Sequence, residues 1–416
     1  MSPDPRRRRT LAGLGALLGL AATGGTARLS WAAPATARTK GPDGRFVFVL
    51  LRGGLDGLFA VPAVGDPHFA RLRGPLAEGP PPFSLTPDFG LHPRLESLHA
   101  AWEERSLAIV HAVATPYRAR SHFDGQDVLE NGGTDALGLD TGWLGRAARL
   151  TGRVGLALAP SAPLVLRGAA PLETWAPSPF DEPGDDLLAR VAALYRGHGA
   201  LESTLADARR LAAARRSAES GDGAAEGMEA AATGRRGAAS LRGRPETLAD
   251  HCAEVLAARG DAGPTVAVLE LGGFDSHAGQ AAPDGRLGRT LRSLSDVIDR
   301  LRAGLAPVWG RTCLVVASEF GRTVAVNGTL GTDHGTGGVC FVLGGAVDGG
   351  RVLGDFPGLA PADLHEGRDL RPTTDVRAVF KAALHATLGL SEGALAETVF
   401  PGSAAIAPVN GLFRSA

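Results

Sequence analysis

Five stretches of the chain are apolar without alternation: RFVFVLLR (45–52), SLAIVHAVATP (106–116), TVAVLELGG (265–273), RTCLVVAS (311–318) and VCFVLGGAV (339–347). Runs of this kind, closed by glycine or a polar group, predict strands buried on both faces rather than strands with one wet side. Between them the period changes. In RLGRTLRSLSDVIDRLRAGL, residues Leu287, Leu291, Leu294, Ile298, Leu301 and Leu305 recur at helical spacing. Buried strands alternating with amphipathic helices predict an α/β fold, a three-layer α/β/α sandwich around a mostly parallel sheet. In such sheets ligands bind beyond the carboxyl ends of the strands.

The polar residues cluster at those ends. Asp56 follows the first run in LRGGLDGL, Ser121 and His122 come shortly after the second, Asp275 and His277 follow the third in GGFDSHAGQ, and Glu319 follows the fourth. Asp275 and His277 are two apart, and in an extended segment such residues point the same way, so carboxylate and imidazole can converge on one cation. Glu319 at the end of TCLVVA is costly to bury unless it is paired or ligated, which predicts a salt bridge to Arg322, a metal ligand or an acid/base group. In GTDHG, adjacent Asp333 and His334 point apart, so His334 is expected as the ligand with Asp333 as its orienting or structural partner. Ser121 in RSHFDGQD reads as the start of a helix, where backbone amides stabilise anions. It is either a capping serine or a nucleophile toward an anionic ester. His122 and Asp124 are further ligands or shape the turn, and Asp56 is a ligand or a turn cap. Thr374 or Asp375 is expected to cap a helix near the C-terminus.

The segments outside this pattern read differently. Residues 160–182 are rich in proline and predict a loop or a cap over the site. Residues from about 204 to 245, rich in Ala, Arg, Gly and Ser, predict a helix running into a mobile surface insertion. At the N-terminus, four arginines (6–9) precede a short Gly- and Ala-rich apolar stretch and small residues at Ala35-Thr36-Ala37. That order predicts an export signal over 1–37 of the twin-arginine type, and hence a periplasmic or extracellular protein carried by the twin-arginine machinery. A transmembrane anchor is the alternative, for which the apolar run is short.

Charge and cysteine content narrow the functional classes. With 1–37 removed, 43 basic against 44 acidic residues become 38 against 43, and no basic patch remains to suggest nucleic acid. The three cysteines, Cys252, Cys313 and Cys340, lack C-x-x-C spacing, which argues against a disulfide framework or a thiolate zinc site. Cys313 and Cys340, within apolar runs, are expected as buried small hydrophobes. The 58 glycines gather around the polar motifs, where backbone turns tightly or approaches a ligand.

Taken together, LRGGLDG, FGLHPRLESL, RSHFDGQD, GGFDSHAGQ, SEFGRT with Asn327, GTDHGTGG and VDGGRVLGDFPGL resemble a family of exported bacterial proteins of unknown function. That family carries twin-arginine signals and is placed in the alkaline phosphatase and sulfatase superfamily. The resemblance spans about residues 45–390 and implies an alkaline phosphatase-like domain over 38–416 whose strand ends hold one or two divalent metals and a nucleophile at a helix start. It implies Asp56 as the first-strand metal aspartate, Ser121 in the nucleophile's place, Asp275 with His277 as the later ligand pair, and His334 as the last histidine. Glu319 falls where the superfamily has an aspartate, and Phe320 falls where it has a histidine, so the second metal lacks a partner unless Asp333, His122 or Asp124 replaces it. Serine at 121, with no cysteine near it, disfavours a formylglycine-type sulfatase.

The expected function is a metal-dependent hydrolase of phosphate or sulfate esters, or a related phosphoryl transferase, acting on a small-molecule or polymer-borne ester. Ser121 would attack in line, and Arg120, Arg322 or both would clamp the non-bridging oxygens. Mixed histidine and carboxylate ligands favour Zn or Mn over Ca or Mg. The rival is an exported binding or assembly protein that keeps the fold and a structural metal without turnover.

Overall fold

A computed structural model describes residues 29–31, 43–169, 171–177, 185–199, 201–202, 205–206, 244–258, 263–280 and 285–414. Twelve strands are described among them: β1 (Leu29–Trp31), β2 (Arg45–Arg52), β3 (Phe83–Ser84), β4 (Gly90–Leu91), β5 (Leu107–Ala114), β6 (Val154–Ala157), β7 (Leu172–Thr174), β8 (Pro264–Gly272), β9 (Thr312–Ser318), β10 (Gly338–Gly344), β11 (Arg351–Leu353) and β12 (Thr374–Asp375). All but the β3–β4 hairpin join one sheet in the order β1-β7-β6-β8-β2-β9-β10-β5-β11, with β12 also on β5. The ladders β7-β6, β6-β8, β8-β2 and β2-β9 are parallel.

Both faces of this sheet are covered, which is why the strand sequences are continuously apolar. From β2, Val47, Val49 and Leu51 enter one core with residues of the helices Glu96–Glu103, Pro245–Ala257 and Arg286–Gly304. Phe46, Phe48 and Leu50 point the other way, into a core built on the helices Trp143–Leu150 and Val376–Leu388. There Trp143 stacks on Phe380 at 4.5 Å and meets Phe48 edge-on at 5.3 Å. The helical repeat at 287, 291, 294, 298, 301 and 305 is fully buried. At ~1.5–3 kcal/mol for each such side chain, this stripe is what fixes the helix to the sheet. Asp375 caps the helix Val376–Leu388 by accepting from the Arg377 amide, and Gly389 ends it in the left-handed region at φ 70°.

Two expectations change. Residues 339–347 read like the parallel strands, yet β10 runs antiparallel to both β9 and β5. An apolar run carries no information about direction, and here the direction matters. Because β10 returns, the connection 319–337 begins and ends at the same sheet edge, the one where β2, β8 and β5 also finish. The proline-rich segment, expected as a loop or a cap, is not a loop throughout in its described part. Val165 and Leu166 are fully buried in the second core, and Leu172–Thr174 adds strand β7 beside β6.

Of the expected signal segment 1–37, only Leu29–Trp31 is described, as a strand antiparallel to β7. The insertion expected at about 204–245 lies outside the described residues apart from 205–206 and 244–245. No described helix is long and apolar enough to cross a membrane. All three cysteines are free and buried, and burial pushes the Cys313 thiol up to about 12.

Candidate metal centre

Tight backbone packing brings the strand ends together. Gly53, just past β2, has φ 120°, and a Cβ there would lie 2.3 Å from the Asp275 amide nitrogen. Only glycine permits that approach, so GGLDG and GGFDSH are two sides of one contact. Gly331 plays the same part on the returning loop, where a Cβ would lie 2.2 Å from the His277 carbonyl carbon. The segment after β8 and the loop 319–337 are thereby pressed into one edge site.

Three imidazoles meet there around one carboxylate oxygen. Asp275 Oδ1 lies 3.0 Å from His277 Nε2, 3.4 Å from His334 Nε2 and 3.4 Å from His122 Nε2. The Nε2 atoms of His277 and His334 are 3.0 Å apart. Among the described residues, His122, Asp275 and His334 form a group able to hold a metal ion.

The other ring nitrogens fix the orientation. His334 Nδ1 lies 2.9 Å from the carbonyl of Arg120, which can only accept, so Nδ1 carries the proton. His122 Nδ1 donates to Glu319 Oε1 at 2.7 Å and His277 Nδ1 to Asp333 Oδ1 at 3.1 Å. In a neutral ring each Nε2 is then a lone pair turned toward Asp275, and in an imidazolium it is an N–H donor to that carboxylate. Lone pairs 3.0 Å apart repel unless a proton or cation lies between them. His122 Nε2 is also buried without a hydrogen-bond partner, which is costly for a polar atom. Histidines held through Nδ1 by carboxylates and a carbonyl, with Nε2 turned inward, are the ligand arrangement of Zn-type sites.

The surroundings keep the carboxylates ionised. Burial would raise the pKa of Asp275, but Arg322, whose Nη2 is 2.6 Å away, holds it down at about 2. Burial also works against Glu319, which is fully enclosed, yet hydrogen bonds from His122, Ser318 and Gln126 keep it below the ordinary carboxylate range. The Asn327 and His277 hydrogen bonds lower Asp333. Glu319 in turn raises His122, while burial lowers His334.

The remaining expected residues lie in other roles. Asp56, 2% exposed, caps the helix Gly57–Ala60 and is paired with Arg73 at 2.5 Å, with Gln280 and Thr332 also on Oδ2. None of these contacts is to the histidine cluster. Glu319 does not pair with Arg322: Oε1 accepts from Gly53 N, His122 and Gln126, and Oε2 from Ser318 Oγ. Asp333 supports His277 rather than its neighbour His334.

Both arginines proposed as clamps are committed internally. Arg322 donates to the carbonyls of Gly53, Gly54, Phe274 and Thr332 as well as to Asp275. Arg120, at a strained φ of 62°, pairs with Asp369 and Glu366. Ser121 stands at the N-cap of the helix His122–Asn131, half-buried, and its side chain caps none of the helix amides.

Sequence reasoning gave His122 too little weight. Its signal was its place in RSHFDG, in the first turn of a helix that starts at the carboxyl edge of the sheet. Phe320, 5% exposed, packs at a tilt against His122 at 4.8 Å and His334 at 5.2 Å, so the non-ligating ring forms a wall of the site.

Residues 98–399, covering Asp275, Glu319 and all three cluster histidines, match the family described as "Protein of unknown function (DUF1501)". The chain belongs to this family. No curated protein matches it. One solved structure similar to it is "Crystal structure of Ps i-CgsB in complex with k-i-k-neocarrahexaose", with a TM-score of 0.34 and 10% identity over 72% of this chain. This member of the family spans 65% of that protein's length, under two thirds.

Proposed function

We propose that this protein is a metal-dependent hydrolase of phosphate or sulfate esters, built on an alkaline phosphatase-like domain and working outside the inner membrane after twin-arginine export. The observation that carries this reading is the convergence of three inward-facing Nε2 atoms on Asp275 Oδ1, one of them buried and otherwise unpartnered. His122, Asp275, His277 and His334 fit a divalent cation as its ligands, with Zn or Mn favoured by the nitrogen-rich donor set. When bound, such a cation supplies positive charge that polarises an ester oxygen and favours ionisation of a nearby hydroxyl.

Ser121 is the nucleophile in this scheme. It directly precedes His122 in the chain, its amide is held by the Tyr117 hydroxyl at 3.2 Å, and its own hydroxyl is not spent on capping. The first-turn amides of the following helix have no intrahelical acceptors and favour an anion beside it. Attack by Ser121 Oγ on phosphorus or sulfur, its proton passing to solvent, forms a seryl ester and expels the alkoxide, which takes up a proton; water then cleaves the seryl ester, releasing phosphate or sulfate and restoring the hydroxyl. His277 and Asp275, both close to half exposed, keep the site open to a substrate small or carried on a polymer.

One observation favours the alternative of a metal-holding binding protein: neither Arg120 nor Arg322 is free to clamp a substrate oxyanion. Wild type and Ser121→Ala assayed on phosphomonoesters, phosphodiesters and sulfate esters separate the two. Metal-dependent turnover lost in the variant supports the hydrolase; no turnover in either protein leaves the binding protein.

A further inference from the structure

We propose that the site takes a single divalent cation, with His122 among its ligands and Glu319 as the carboxylate that positions His122 without touching the ion. This deepens the reading above and rests on a cation being bound, not on turnover.

A second ion needs ligands of its own, and each residue that would supply them already serves another contact. Asp56 is consumed by Arg73, Gln280 and Thr332. Asp333 holds His277 and accepts from Asn327. Asp124 is exposed and meets the Tyr117 hydroxyl at 3.1 Å. Phe320 offers a hydrocarbon face where a ligand would be needed, packed on two of the histidines.

Glu319 has no oxygen to spare. It is fully buried, and four donors occupy its two oxygens, from Gly53, His122, Gln126 and Ser318. Gln126 is itself fixed by Arg52 at 2.8 Å, and Arg52 is anchored by Glu130 and Glu270, so the carboxylate is held from behind by a chain of polar contacts. What this chain delivers is a His122 ring with its Nδ1 proton spent and its Nε2 aimed at Asp275. Such a supporting carboxylate raises the basicity of the ligand and sets its angle, and its removal weakens metal binding rather than abolishing it.

The test is titration of chelator-stripped full-length protein with Co(II), followed by ligand-field absorption, with bound cobalt counted by elemental analysis. Wild type is expected to bind one equivalent. Glu319→Gln is expected to bind one equivalent with the same absorption envelope and about 10- to 100-fold lower affinity. His122→Ala is expected to change the envelope itself, because a ligand is lost. Gln126→Ala, which removes only one support of Glu319, is expected to weaken binding less and in the same direction, and it keeps the test decisive if Glu319→Gln fails to fold by circular dichroism.

Two equivalents in wild type overturn the proposal, as does a Glu319→Gln spectrum altered in the way the His122→Ala spectrum is. Absence of cobalt binding in wild type overturns this proposal and the hydrolase together. One equivalent without ester turnover supports the proposal and counts against the hydrolase alone.

Discussion

Asp56 separates a structural role from a ligand role more sharply than any other residue. By resemblance it is a metal aspartate; in the fold its carboxylate and the Arg73 guanidinium form a pair with side chains 3% and 1% exposed. Arg73 also donates to the carbonyls of Thr323 and Val324, at the root of the loop that carries His334. Removing one partner of such a pair leaves the other charge buried and uncompensated, which costs ~3–5 kcal/mol. Asp56→Ala is therefore expected to lower the melting temperature by roughly 3–8 °C, taking ~1–1.5 °C per kcal/mol for a domain of this size. Replacing both residues with apolar ones, as in Asp56→Leu with Arg73→Met, is expected to recover only part of the loss: it removes the uncompensated charge but leaves the Thr323 and Val324 carbonyls and the Gln280 and Thr332 donors without their partner. Thermal melts with metal analysis on the same samples give the answer. Asp56→Ala at wild-type stability but without bound metal would refute the structural assignment and return Asp56 to the ligand set.

Other consequences reach beyond that pair. His111 is fully buried in β5, with burial lowering its pKa to about 4 from 6.5, so the unfolded chain takes up the proton first as pH falls. Stability is expected to be complete above pH 6.5 and to drop by about 3 kcal/mol between pH 6.5 and 4. His111→Gln should reduce the fall in urea-unfolding midpoints over that window, part of what remains belonging to His92, which burial also lowers to about 4, and an unchanged slope would show that the His111 ring is not a cause. Gly53→Ala places a Cβ against the Asp275 amide at a φ of 120° and is expected to weaken cation binding and lower stability together. Competition with a chelating dye and a thermal melt measure the two effects, and an unaltered affinity would show that this contact does not set the position of Asp275.

How much of this was legible in the sequence depended on whether a feature is local. β2, β5, β8 and β9 and the helix Arg286–Gly304 could be read because periodicity is written within a few residues. The glycine-flanked Asp275, His277 and His334 could be found because a polar group at the end of a buried strand has few places to go. Partnerships across the chain could not be read. Nothing around Glu319 says that its donor is His122, 197 residues away, or that Arg322 turns to Asp275 instead. Nothing near Asp56 points to Arg73 in a short helix with no distinguishing pattern. The direction of β10 was equally silent, and without it the shared edge of 319–337 could not be derived.

The most direct test is metal K-edge absorption spectroscopy on protein purified from its native host without added metal or chelator. A single cation pocket formed by His122, Asp275, His277 and His334 predicts one ion ringed by three imidazole nitrogens and a carboxylate oxygen. Natively purified protein with no ion, or with an ion whose scattering shows no histidine, would contradict it.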